Sequence, residues 1–286
     1  MELHDDDQPV GRVLTRREIL ALLGGAGAAA VVATGFTRLG LDQLTGTATP
    51  QATVEALEAL PACVVRPALT EGPYFVDEML NRSDIRIEPS DGSIQEGAPL
   101  HLIFKVSDVS QNRCAPLAGA QVDVWHCDAQ GRYSEVDDPG FDTSGQTWLR
   151  GYQVTDESGT AEFMTIYPGW YSGRTVHIHF KIRTDPESEA GYEFTSQLFF
   201  PEDVTDLVHA QPPYASKGYR NTLNASDSIF RGSDGLLTLD VVEVEADAGY
   251  EAVFGIGLDL SQPSPAESSM GGPGGGRPSS PPPSNP

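Results

Sequence analysis

The chain has 286 residues, with 41 acidic against 18 basic side chains, a formal net charge of −23 and a pI near 4.4. That balance excludes nucleic-acid binding through clustered Lys and Arg and disfavours docking on an anionic membrane surface. Hydrophobic residues make up 39 %, enough for a core, while 30 Gly and 22 Pro imply many turns.

In chain order, Thr15-Arg16-Arg17-Glu18-Ile19-Leu20 precedes an apolar, small-residue run over 21–35. Paired arginines before a moderately apolar stretch resemble a twin-arginine export signal. The run is short for a membrane span and rich in Gly and Ala, and 26–33 has no polar face to make it an ordinary amphipathic helix. Residues 1–60 are therefore expected to be an export signal and linker, cleaved between 33 and 53. The expected location is the periplasm, cell envelope or medium, reached through the twin-arginine machinery, which carries proteins that fold before export.

Beyond 60, short apolar runs alternate with turn signals. Strands are predicted at 100–106, 120–127, 151–155, 161–166, 176–183, 195–200, 236–244 and 250–258, with one helix over 202–209. In 120–127 the alternation puts Val122, Val124 and His126 on one side and Asp123, Trp125 and Cys127 on the other. Asp156-Glu157-Ser158-Gly159 is expected to turn a hairpin between 151–155 and 161–166. From 263 to 286 the chain holds 8 Pro and 5 Gly in 24 residues and reads as a disordered tail. What is left, 61–262, is one all-β domain, a sandwich or barrel. It carries 32 acidic and 13 basic residues, so net −19 belongs to the folded domain.

Cys63, Cys114 and Cys127 are too few for a disulfide scaffold or a Cys-based zinc site. Either all three are buried thiols, or Cys63 and Cys114 bridge if the chain leaves the cytoplasm. Pro116-Leu117-Ala118-Gly119-Ala120, Gly131-x-Tyr133, Asp156-x-x-Gly159 and Pro168-Gly169-x-Tyr171 resemble the prealbumin-like β-sandwich of bacterial surface modules. In such a module, non-catalytic and extracellular, the same Tyr and His residues would be structural. His126 and His209 read as structural or exposed, and Trp125 and Trp170 as core aromatics.

His177-Ile178-His179 would point two imidazoles to one face of a strand, where one ion could take both. Alone that is a weak signal. Its surroundings strengthen it: 69–75 (Leu-Thr-Glu-Gly-Pro-Tyr-Phe), 124–134 (Val-Trp-His-Cys-Asp-Ala-Gln-Gly-Arg-Tyr-Ser) and 167–180 (Tyr-Pro-Gly-Trp-Tyr-Ser-Gly-Arg-Thr-Val-His-Ile-His-Phe). These stretches resemble the intradiol ring-cleavage dioxygenases, to which protocatechuate 3,4-dioxygenase belongs. The resemblance covers about 61–205.

It implies a prealbumin-like β-sandwich core with long connecting loops and one non-haem Fe(III) per chain. Tyr133, Tyr171, His177 and His179 would be the ligands, Tyr171 and His179 axial, with Tyr133, His177 and a hydroxide equatorial. Two tyrosinates and a hydroxide cancel the charge of Fe(III), and hard anionic oxygens favour ferric iron over zinc. The implied substrates are a catechol-type diol and O2, and the product a muconate-type diacid. Tyr171, once displaced, would accept a substrate proton, and Arg174 would stabilise developing negative charge. Gln197 matches a pocket residue, and Tyr74 is a candidate to touch the ring. Family members carry a longer loop between the second Tyr and the Arg. Only Ser172 and Gly173 stand there in this chain, so a more open pocket is expected. The resemblance leaves room for a homo-oligomer.

Overall fold

A computed structural model describes residues 63–188, 191–244 and 249–265. The expected export signal and linker (1–60) and nearly all of the expected tail (263–286) lie outside the described residues. The strands are β1 (Pro99–Asp108), β2 (Ala115–Pro116), β3 (Gln121–Trp125), β4 (Asp137–Asp138), β5 (Phe141–Asp142), β6 (Arg150–Val154), β7 (Thr160–Ile166), β8 (His177–Arg183), β9 (Glu193–Phe199), β10 (Val241–Glu243) and β11 (Tyr250–Leu258). The α-helices are α1 (Glu202–His209) and α2 (Ser228–Gly232).

Two sheets stack face to face. One runs β10-β11-β1-β2, with β7 also paired to β1, and the other runs β6-β3-β8-β9. β1 pairs in parallel with β11 (Phe104 opposite Phe254) and antiparallel with β7 (Phe104 opposite Ala161). Alternation along β1 turns Leu100, Leu102, Phe104 and Val106 inward. There Phe104 meets Phe180 of the other sheet at 5.3 Å between ring centroids, and Phe180 meets Phe254 at 5.4 Å. This aromatic layer closes the sandwich expected from the strand pattern.

The central strands of the second sheet, β3 and β8, are buried on both faces. Ile178, Phe180 and Ile182 of β8 enter the core, whereas His177, His179 and Lys181 are buried on the opposite face. The segment 67–81 covers that face as a strap. Leu69 N–H donates to Thr195 O (3.0 Å) and Arg150 donates to Tyr74 O (3.1 Å). Glu71 pairs with Lys181, Asp77 pairs with Arg183 (2.7 Å), and Phe75 lies under the Lys181 ammonium at 4.6 Å.

Two expectations need correction. The turn at 156–159 does form (Gly159 N–H to Asp156 O, 2.9 Å), yet it does not make a hairpin: β6 pairs with β3 and β7 with β1. The turn arches from one sheet to the other. Thr155 Oγ1 ties the end of β6 to Ala120 N–H and Leu117 O, and Val106 N–H donates to Gly159 O from β1. A Cβ on Gly159 would lie 2.2 Å from Val106 O, so only glycine lets the arch approach β1. In the predicted strand 236–244 only Val241–Glu243 pairs as a strand. Leu237 O and Leu239 N–H instead clasp Phe199 at the end of β9, which turns an extended apolar segment into a crossing rather than a ladder. The other predicted strands match to within about two residues at most ends, and α1 spans its predicted range. Cys63 and Cys114 are bonded, with Cα atoms 5.7 Å apart, and Cys127 is a buried free thiol.

Candidate metal centre

β8 presents His177 and His179 to the strap side at the two-residue period of a strand. Tyr133 arrives from the loop after β3 and Tyr171 from the turn before β8. His177 Nε2 lies 3.1 Å from Tyr171 Oη, 3.4 Å from Tyr133 Oη and 3.1 Å from His179 Nε2. The residues expected as ligands therefore meet at one point.

The packing around them is specific. His177 Nδ1–H donates to Thr175 O at 2.7 Å, which leaves Nε2 as the lone pair facing the cluster. The indole of Trp125 stacks on the His179 imidazole (centroids 5.0 Å, planes 9° apart), and Tyr74 stacks on Tyr133 (4.4 Å, 23°). Gly72 sits at φ +74° with an imagined Cβ 3.2 Å from His179 Cε1, so the strap presses bare backbone against a candidate ligand. Ser172 and Gly173, both exposed, form a tight turn from Tyr171 to Arg174, and Asn221 donates to Ser172 Oγ at 2.9 Å.

Burial sets the protonation states. It drives the imidazoles of His177 and His179 well below the ordinary histidine value, helped at His177 by the charge of Arg174 and at His179 by His177 and Arg174. It raises the phenols of Tyr133 and Tyr171 well above the ordinary tyrosine value. Without a cation the cluster is thus two neutral imidazoles and two phenols gathered around the lone pair of His177 Nε2. One lone pair serves one donor well, whereas three atoms 3.1–3.4 Å from His177 Nε2 make, with it, a set of four that suits ligands sharing one cation. The donor set fits a ferric ion. Among the described residues no three His, Cys, Asp or Glu side chains form a metal-holding group, so the fit depends on the tyrosines.

Arg174 lies beside the cluster. Its Nη2 donates to Gln197 Oε1 (2.5 Å), Gln197 Nε2 donates to Thr70 O (2.8 Å), and Arg174 Nε donates to Asp227 Oδ2 (2.9 Å). Arg174, Gln197 and Tyr74 are all brought to the candidate ligands. His126 and His209 are structural. His126 bonds Cys127 O and Thr165 Oγ1, and His209 bonds Pro168 O while stacking on Tyr214. Trp170 packs against the main core, while Trp125 is both core and the face on which His179 rests. Surface clefts of about 250–340 Å3 lie elsewhere, for example beside His209 and Arg220, so converging donors rather than cavity size locate this site.

Three contributors went unanticipated. Gly72 is visible in the sequence only as part of Gly-Pro-Tyr. Thr175 acts through a backbone carbonyl and leaves no side-chain signal. Asp227, 50 residues beyond His177, carried one usable signal, since an Asp before Ser-Ile-Phe is an N-cap pattern.

The Dioxygenase family model matches residues 70–228, which include every residue of the cluster. A catechol 1,2-dioxygenase of Candida albicans is 27 % identical over 189 residues, covering 58 % of this chain and 51 % of that protein. A chlorocatechol 1,2-dioxygenase of Pseudomonas putida is 32 % identical over 103 residues, covering 29 % and 36 %. The chain thus spans about half or less of the length of these curated relatives. The solved structure of an intradiol ring-cleavage dioxygenase from Tetranychus urticae superposes with a TM-score of 0.61 at 30 % identity, covering 71 % of this chain and 98 % of that one. The chain belongs to the intradiol ring-cleavage dioxygenase family.

Proposed function

We propose that the protein is an exported, non-haem Fe(III)-dependent intradiol dioxygenase acting on a catechol-type diol. The bond between the two hydroxyl-bearing carbons would break, and both atoms of O2 would end in the two carboxyls of a muconate-type product. The observation that carries this reading is the convergence of Tyr133, Tyr171, His177 and His179 on one point beside Arg174.

Those four side chains would hold the iron. A ferric ion there would supply Lewis acidity and the covalency that makes a bound catecholate reactive toward O2. The chain's own groups do the remainder. Tyr171 would accept a substrate hydroxyl proton at Oη. Arg174, its guanidinium fixed by Gln197 and Asp227, stabilises negative charge developing on substrate oxygen. Tyr74, stacked on Tyr133, offers an aromatic wall on the strap side. The short Ser172–Gly173 turn supports an approach more open than in protocatechuate-cleaving relatives.

The Cys63–Cys114 bridge supports maturation in an oxidising compartment and hence export, for which the Arg16–Arg17 pair is the proposed signal. Replacing Arg16 and Arg17 by Lys should retain the protein in the cytoplasm.

The test is metal analysis with visible spectroscopy, followed by O2 uptake with catechol, hydroxyquinol and protocatechuate. The expected result is one iron per chain, a tyrosinate-to-iron band and uptake with at least one catechol. Tyr171→Phe or His179→Ala should abolish turnover. A colourless, iron-free protein after expression with ample iron, inert toward every catechol, would leave a non-catalytic sandwich module.

A further inference from the structure

We infer that Asp227 is the positioning residue for Arg174, holding the guanidinium in the one orientation that serves the metal centre. The inference rests on the function proposed above and adds a residue that neither composition nor motif singled out.

Asp227 is 2 % exposed and uses both carboxylate oxygens fully. Oδ2 accepts from Arg174 Nε and from Thr175 N–H, each at 2.9 Å. Oδ1 accepts from Ile229 N–H (2.8 Å) and Phe230 N–H (3.1 Å), capping α2. Four fixed donors leave the carboxylate one orientation. Burial alone would raise its pKa, but the charge of Arg174 and the Thr175 N–H prevail and hold it below the usual carboxylate range, so it stays ionised.

Helix capping does not account for this residue. Asn or Ser caps as well as Asp without burying a charge, and a buried charge is costly unless paired. The paired charge is Arg174, whose side chain is 17 % exposed. Anchored at Nε by Asp227 and at Nη2 by Gln197, the guanidinium plane is fixed from two sides, and Nη1 carries two further N–H groups. The pair is also neutral overall, so Arg174 stands beside a cation-binding cluster without adding net positive charge to it. The Thr175 N–H bond extends the brace into the backbone whose carbonyl orients His177.

The test compares iron-loaded wild type, Asp227→Asn, Arg174→Ala and the double variant. Asn keeps the volume and an oxygen for the α2 cap but withdraws the charge from Arg174. Asp227→Asn is expected to bind iron at wild-type stoichiometry with an unshifted visible band, yet to lose about 100-fold in kcat/KM, the scale of a misplaced catalytic group. The double variant is expected to fall within about twofold of Arg174→Ala, because the two residues act as one unit. Turnover of Asp227→Asn within twofold of wild type, loss of its iron, or losses that multiply in the double variant would each overturn the assignment. If wild type cleaves no catechol, the proposed function fails by itself. The urea midpoints of the same four proteins then still decide: non-additive shifts support the coupling of positions 174 and 227, and additive shifts refute it.

Discussion

Under the proposed function, replacing Gly72 by Ala should disable the candidate iron site through a single methyl group, and Gly92 supplies a matched control. Both glycines have left-handed φ, +74° and +75°, so Ala at either position meets the same backbone penalty of about 1–2 kcal/mol. Part of that is offset by about 0.4–1 kcal/mol from the stiffer unfolded chain. A Cβ at Gly92 meets nothing within 4 Å, whereas one at Gly72 lies 3.2 Å from His179 Cε1. The imidazole would have to retreat by a few tenths of an ångström, but Trp125 is stacked on it. Crowding of this kind costs a further ~1–3 kcal/mol and draws Nε2 away from the other three donors. Gly72→Ala is thus expected to lose iron and turnover, and Gly92→Ala to lose about 1 kcal/mol of stability with its iron intact. Urea unfolding, iron stoichiometry and catechol turnover of the two variants give the comparison. Equal iron content and equal turnover would refute the claim that the strap bears on His179.

Three further outcomes follow from charge and burial. Because burial keeps Tyr133 and Tyr171 protonated and both imidazoles neutral, iron loading must release two phenol protons. The two phenols alone should therefore make apparent iron affinity fall at least about 100-fold per pH unit on acidification, read by chelator competition between pH 6 and 8 corrected for the chelator's own protonation; a flat profile would contradict it. Burial depresses the His126 imidazole to about 4, so below about 6.5 the unfolded chain takes up a proton that the folded chain refuses. That contribution is fully present above about pH 6.5 and is lost as pH falls to about 4, at a cost of about 3 kcal/mol; urea midpoints of metal-free His126→Gln should fall less steeply with acid than those of wild type. Lys181→Met should free Glu71 and loosen the strap, seen as faster hydrogen exchange at Leu69 N–H with the sheet pairs of β8 unchanged.

Much of this was legible in the sequence, for identifiable reasons. Strand periodicity found β8 and the common face of His177 and His179, because a strand's period of two is fixed by its pleat. Alternation in β3 likewise separated Val122 and Val124, which enter the core, from Trp125, which lies beside the metal cluster. Local pattern failed where pairing partners are distant. The residues at 156–159 form the turn they specify, but nothing local says that β6 and β7 belong to different sheets. The strap escaped notice because its hold is made of partners far apart in sequence, such as Asp77 with Arg183, and of backbone carbonyls such as that of Thr70.

The acidic composition takes on a structural meaning at the site. Arg150, Arg174, Lys181 and Arg183 all lie on or beside the buried outer face of the second sheet, where isolated cations would be costly. Three of them are neutralised by acids from separate segments: Asp227 on Arg174, Glu71 and Glu193 on Lys181, and Asp77 and Asp123 on Arg183. Arg150 instead spends its donors on Ser134 Oγ, Ser134 O and Tyr74 O, and burial lowers its pKa to about 10. The acids thus hold strap, strands and guanidinium together around the candidate metal cluster, and three of the four cations are already paired. An anionic ring substituent would bring added negative charge to a domain of net −19, whereas a neutral catechol would bring none. The charge that argues against nucleic acid at the scale of the chain would, under the proposed function, act for neutral diols over aromatic acids.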